Sequence, residues 1–247
     1  MLSPSFVKAV LLASAALFLL AWWQRDALPP PERLAESILD EPLQRPTTRD
    51  PFQTTVGGIE YTVRPLYTYE LNGLIVSKHN ADTWWDWIHK ASNDKLNVTD
   101  LCVVWGTNAQ RGVYRELDYS SGEFTCYVET RSSAVWAAFD MTSLSNNHLL
   151  TDDPGISRLL RQVRVGDQIH FRGYLAEYSH HHGFAFHRGT SVTRTDTGNG
   201  ACETVFATDA DIIRHGNRAW RFAFWVSAAV FVTSIIGWFT LPFRAGD

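Results

Sequence analysis

Residues 164–179, RVGDQIHFRGYLAEYS, decide the fold. Apolar side chains alternate through Val165, Ile169, Phe171 and Tyr174, the period of a half-buried strand. Upstream, Asp153-Pro154 opens a helix, with Asp at the N-cap and Pro at the first turn. Ile156, Leu159, Leu160 and Val163 form its apolar stripe. Downstream, GFAFHRGTSVTR (183–194) completes a hairpin, and ETVFATDADIIR (203–214) is the last strand.

Working back towards the N-terminus, IEYTV (59–63) and LYTYELNGLIVSK (66–78) are rich in β-branched and aromatic residues. TWWDWIHKASN (83–93) has helical spacing, with Trp84, Trp87 and Ile88 on one face and Thr83 as the expected N-cap. LCVVWG (101–106), VYRELDYS (113–120) and EFTCYVE (123–129) are expected to form a meander of three short strands. The segment 24–52 is punctuated by Pro29, Pro30, Pro31, Pro42, Pro46 and Pro51, which predicts an extended stalk.

A helix, a V-G-D-x-I-x-F-x-G-Y-L strand, a hairpin and then T-V-F-A-T-D-A-D-I-I resemble the second half of an OB-fold barrel, over about residues 153–214. The resemblance implies a mainly β (α+β) fold, with an OB-like barrel domain over residues 53–214. The chain is also similar to uncharacterised bacterial two-span membrane proteins that share stretches such as LCVVWG, LSNNHLLTDD and RTDTGNGACETV. That second resemblance covers most of the chain and brings no activity with it.

Two apolar segments bracket the domain. Residues 6–23 carry only Lys8 and end in Trp22-Trp23, an interfacial pair. The rival reading is a cleaved signal peptide, but QRDALPPPE offers no small-x-small cleavage site. Residues 220–243 are long enough to cross the hydrocarbon, with Trp220, Trp225 and Trp238 near the ends. Two spans place both termini on one side. The expected arrangement is a bacterial inner-membrane protein with cytoplasmic termini and an extracytoplasmic domain, although Arg25, Arg33, Arg214, Arg218 and Arg221 oppose the positive-inside tendency.

A 45% apolar composition with ten Trp excludes a disordered chain, and a net charge of −4 without a basic stripe argues against nucleic acid as a partner. The cysteines, Cys102, Cys126 and Cys202, have no C-x-x-C spacing. In the expected meander, Cys102 and Cys126 lie two strands apart, too far for a disulfide. That leaves three buried thiols, or a bridge from either one to Cys202.

Candidate chemistry is sparse. His180, His182 and His187 sit at an expected hairpin tip, where imidazoles could hold zinc or copper; a solvated run is the plainer alternative. Arg188, Thr190, Arg194, Asp196 and Asn199 combine guanidiniums, hydroxyls and a Gly-rich loop that could bind a small anion, or that simply bond their own backbone. Leu144–His148 looks like a polar loop. Trp84, Trp85 and Trp87 either mark a partner surface or pack two indoles into the core. Ala229, Thr233 and Gly237 form a small-residue stripe, with Ala9, Ala13, Ala16 and Leu20 of the first span as its nearest candidate partner. Phe224, Phe231 and Trp238, opposite the stripe, are expected to face lipid. No catalytic motif and no cofactor site emerges. These features predict a membrane-anchored, non-enzymatic binding or assembly module, whose partners are the bilayer and other envelope proteins. The alternatives are a metal-dependent enzyme or sensor at the histidine hairpin and an anion receptor at Arg188 and Arg194.

Overall fold

The computed structural model describes residues 4–198 and 201–240, so Asn199 and residues 241–243 of the second span lie outside it. In chain order the elements are α1 (Pro4–Gln24), β1 (Leu43–Pro46), β2 (Phe52–Val56), β3 (Ile59–Asn80), α2 (Ile88–Ala91), β4 (Asn97–Val104), α3 (Gly106–Arg111), β5 (Asp118–Gly122), β6 (Thr125–Glu129), α4 (Ser133–Ala138), β7 (Leu144–Leu150), α5 (Pro154–Gln162), β8 (Gln168–His180), β9 (Phe186–Arg188), β10 (Glu203–Arg214) and α6 (Arg218–Thr240). The chain is mixed α and β around one large sheet, with a separate β5–β6 hairpin. It divides into two units: the two ends of the chain, and Leu28–His215.

In the larger unit, β3 organises the sheet. Ile59, Tyr61 and Val63 point into the core, while Glu60, Thr62 and Arg64 are exposed. One edge of β3 pairs with β8 over residues 62–74. The other edge is taken in turn by β2, β1 and β4. The pairings run β3–β4–β7–β10–β8 and return from β8 to β3; β7 and β10 are parallel and the rest antiparallel. Two glycines allow this path. A Cβ on Gly73, where β3 passes from β8 to β4, would lie 2.2 Å from Val103 Cγ1. One on Gly173 would lie 2.0 Å from the Phe206 carbonyl oxygen. Leu71, Leu101, Phe171, Leu175 and Val205 fill the main core, each side chain contributing roughly 1.5–3 kcal/mol by burial. The helix α5 lies where Asp153-Pro154 predicted it, with Asp153 Oδ1 accepting the Gly155 and Ile156 amides.

Four sequence expectations fail here. The stalk is not a spacer. Ile38 is fully buried, Leu34 packs on the core, β1 joins β3, and the Gln168 side chain bonds both Ala35 N and Arg33 O at 2.8 Å. Proline fixes an extended backbone, but an extended chain can lie along a core as readily as leave it. The helix over 83–93 shrinks to Ile88–Ala91: the Asp86 side chain turns inward, its Oδ1 accepting the His89 amide at 2.9 Å, and Asn93 takes a left-handed backbone (φ 53°) after the last turn. The three-strand meander also fails. Residues 106–116 are helical turns, and β6 pairs with β5 in the second sheet, which packs directly on β4 instead of lying beyond a middle strand. Cys102 and Cys126 are therefore bonded, with Cα atoms 5.8 Å apart. Finally, Leu144–Leu150 is a buried strand rather than a polar loop.

In the smaller unit, α1 and α6 are each long and apolar enough to cross a membrane. They run antiparallel. The Asn217 side chain donates to Ala27 O, and Phe18 stacks on Phe224 at 4.8 Å between centroids. The buried positions are Val7, Ser14 and Ala21 on α1 and Ser227 and Ser234 on α6, spaced by seven as in a left-handed pair. The expected stripe is not the contact between these two helices. Ala229 and Thr233 are exposed and Gly237 is half-buried, Ala9, Ala13, Ala16 and Leu20 are exposed, and Phe224 turns inward. Small residues at four-residue spacing do not decide a face when a seven-residue serine–alanine stripe competes. A cysteine pair at positions 18 and 224 is expected to be joined by a short bifunctional thiol reagent, with the joined peptides identified by mapping. A pair at 13 and 229 is expected to stay separate.

Candidate functional site

Polar side chains form one buried chain across the outer faces of β3, β4 and β7. Asp86 Oδ2 accepts from His79 Nε2 at 2.7 Å and from His89 Nδ1 at 2.6 Å. His89 Nε2 accepts from the Asn97 amide at 2.7 Å, and the same amide nitrogen donates to Asp100 Oδ1 at 3.0 Å. Asp100 Oδ1 accepts from His148 Nδ1 at 2.7 Å, and His148 Nε2 faces Arg188 Nη2 at 2.7 Å. Asp86, His89, Asn97, Asp100 and His148 are all buried. The chain fixes its own proton positions. An amide nitrogen and a guanidinium can only donate, so His89 Nε2 and His148 Nε2 are acceptors. Both rings then carry their proton on Nδ1, facing a carboxylate.

Burial pushes the Asp86 and Asp100 carboxyls up, but hydrogen bonds and the positive character of the imidazoles more than offset it. Both end below the ordinary carboxylate range. Phe124 closes the site from the hairpin. It holds a left-handed backbone (φ 62°) at a turn position that usually takes Gly or Asn, and its amide donates to Asp100 Oδ2 at 3.1 Å. Its ring lies 4.2 Å from His89, 5.4 Å from His148 and 3.7 Å below the Arg188 guanidinium.

Among the described residues, two groups could hold a metal by proximity: His79, Asp86 and His89, and His170, Asp209 and Asp211. In the first, Asn97 obliges His89 to keep a proton on the nitrogen that would have to bind the ion. In the second, Arg172 already pairs with Asp209 at 3.0 Å and Glu70 with His170 at 3.0 Å. Neither group contains His180, His182 or His187. His180 is buried, with Nε2 on Ser92 O and Nδ1 on the His182 amide, while His182 and His187 are exposed. The strand continues through position 180, which draws His180 inward and leaves the tip behind it.

The Arg-rich set is likewise engaged within the domain. Arg188 serves His148 and Phe124; Arg194 pairs with Glu203 at 3.0 Å and stacks over Trp105. Thr190 accepts from Thr204 N, and Asp196 accepts from the Ser191 hydroxyl. Burial raises the Glu203 carboxyl to about 7 against the opposing pull of Arg194. The folded value lies above the unfolded 4.5, so this contribution is full below about 4.5 and lost as pH rises through about 7. Thermal stability is expected to decline across that window in the wild type, and Glu203→Gln is expected to remove the decline.

Above Asp86, the indoles of Trp84, Trp85 and Trp87 are 82%, 54% and 77% exposed, with Ile88 beside them. The core alternative for two of them fails for the same reason the helix does: Asp86, not an indole, is the residue that turns inward. The Trp87 amide donates to Glu123 of the hairpin, so the loop is held at its base. The sequence signal for the chain is acidic and imidazole side chains, such as Asp100 and His148, inside otherwise apolar strands. No protein-family model, no curated protein and no solved structure matches this chain.

Proposed function

We propose that this chain is a membrane-anchored, non-enzymatic binding module whose docking element is the loop carrying Trp84, Trp85 and Trp87. The observation that carries the reading is the exposure of three neighbouring indoles on a loop fixed from below by Asp86. Exposed apolar clusters of this kind mark interaction sites, and Trp is enriched among interface hot spots. The occupant is an apolar surface on another envelope protein. The engagement of Arg188, Arg194, His148 and His180 with internal partners favours binding over catalysis or anion capture.

The domain reads as a closed OB-like barrel. Support comes from the pairings that return to β3, the parallel β7–β10 pair and the placement of α5 between β7 and β8. An extracytoplasmic position in the inner membrane, with cytoplasmic termini, is supported by the two apolar helices and by the Cys102–Cys126 disulfide, a bond that persists in oxidising compartments. A photo-crosslinking amino acid at position 84 or 87, in cells expressing the intact chain, is expected to give one discrete protein adduct. The adduct should be lost when the two remaining indoles are changed to Ser. Adducts with lipid alone, or none at either position, would overturn the reading.

A further inference from the structure

The third cysteine opens on the same cavity as the disulfide. A space of about 400 Å³ is lined by Phe124, Cys126, Met141, Asn146 and Cys202, among others. Cys202 is a free thiol. The Asn146 amide donates to its Sγ at 3.7 Å, and the thiol reaches Phe124 O at 3.9 Å. Asn146 is only 7% exposed, yet its Oδ1 has no hydrogen-bond partner among the described residues.

The strand register fixes the relation among the three cysteines. Cys102 on β4 pairs with Asn146 on β7. Glu203 on β10 pairs with Asn147, which sets Cys202 beside Asn146 on the opposite edge of β7. Cys102 and Cys202 thus flank β7, two strand spacings or about 9.6 Å apart, beyond the roughly 7 Å that a disulfide spans. Cys126 belongs to the other layer. The β6 strand packs on both β4 and β7, and Cys126 bonds to Cys102 while lining the cavity that Cys202 lines.

We propose that these residues form a thiol–disulfide exchange centre in which Cys126 passes between Cys102 and Cys202. The Cys202 thiolate attacks Cys126 Sγ. The Cys126–Cys202 bond forms as the Cys102–Cys126 bond breaks, and Cys102 leaves as a thiolate that takes up the proton Cys202 gave away. Electrons balance without an outside oxidant or reductant. The exchange moves the tether of the β5–β6 hairpin from β4 to the start of β10. Phe124, two residues from Cys126, then shifts relative to Arg188 and Asp100. Burial holds the Cys202 thiol above its ordinary range, with Asn146 and Arg188 opposing, so exchange is slow near neutrality and quickens with rising pH.

The test uses the full chain in mild detergent, oxidised with glutathione disulfide and mapped by peptide mass spectrometry. Cys102→Ser is expected to form a Cys126–Cys202 bond, whereas Cys126→Ser is expected to leave Cys102 and Cys202 unlinked. Separate thiols or separate glutathione adducts in Cys102→Ser, or a Cys102–Cys202 bond in Cys126→Ser, would overturn the proposal. If Cys102→Ser does not fold, the wild type decides. It is incubated at rising pH, quenched in acid and labelled with a maleimide after denaturation. Label appearing on Cys102 with time supports exchange; label confined to Cys202 up to about pH 9 refutes it.

Discussion

Asp100→Asn is expected to destabilise the domain by about 3–5 kcal/mol, the scale for leaving several buried donors without their charged acceptor. Asp100 accepts from His148 Nδ1, the Asn97 amide and the Phe124 backbone N–H. An amide cannot accept three such donors while orienting its own hydrogens. His148 then loses the acceptor that fixes its proton, and Arg188 loses its tie to negative charge. Thermal unfolding of the intact chain in detergent, followed by circular dichroism, should show a midpoint lower by about 10 °C. Acid sensitivity provides a second readout. The Asp86 and Asp100 carboxyls are depressed below 3.8, so their contribution is present above that value and lost as pH falls through the folded values. Wild-type stability should therefore drop steeply below about pH 4, and Asp100→Asn should drop less.

Loss of the disulfide comes next in size. Cys102 and Cys126 are separated by 24 positions, and closing a loop of that length stabilises by roughly 3–4 kcal/mol in the chain-entropy treatment. A reductant is expected to lower the wild-type unfolding midpoint, and Cys126→Ser should start from the lowered value and ignore the reductant. The same bond anchors the hairpin whose tip bears Phe124, so reduction should also loosen the roof over His89 and His148. Limited proteolysis by an added protease at residues 118–129 should then accelerate. Equal midpoints for oxidised and reduced protein would mean that the hairpin is held by packing alone.

The legible parts of the fold were those written as short-range patterns. Alternation through Ile169 and Phe171, the Asp153-Pro154 helix start and the last strand all appear where the sequence places them. The illegible parts depend on partners far away in the chain. The prolines of residues 24–52 say that the backbone is extended, but not that Leu34 and Ile38 lie in the core. The spacing of Trp84, Trp87 and Ile88 imitates a buried helical face, and only the distant His79 shows that Asp86 is the inward residue. A strand over 113–120 between the two cysteine strands would exclude the disulfide, but residues 106–116 coil into turns. For the site, Arg188, Thr190, Arg194 and Asp196 are engaged as named, but with internal partners. Asp86, Asn97, Asp100 and His148 are not legible in the sequence because polar residues in apolar strands have no short motif.

Hydrogen exchange on the intact chain in a detergent or lipid disc reads whether a closed buried chain presents Trp84, Trp85 and Trp87 on a rigid base. The amides of His89 and Ala91, which donate to Asp86 and to Trp87 O, are expected to exchange nearly as slowly as those of β4. Asp86→Asn should release them together while leaving β8 protected. Fast exchange across the whole of residues 81–97 in the wild type, indistinguishable from Asp86→Asn, would contradict that arrangement.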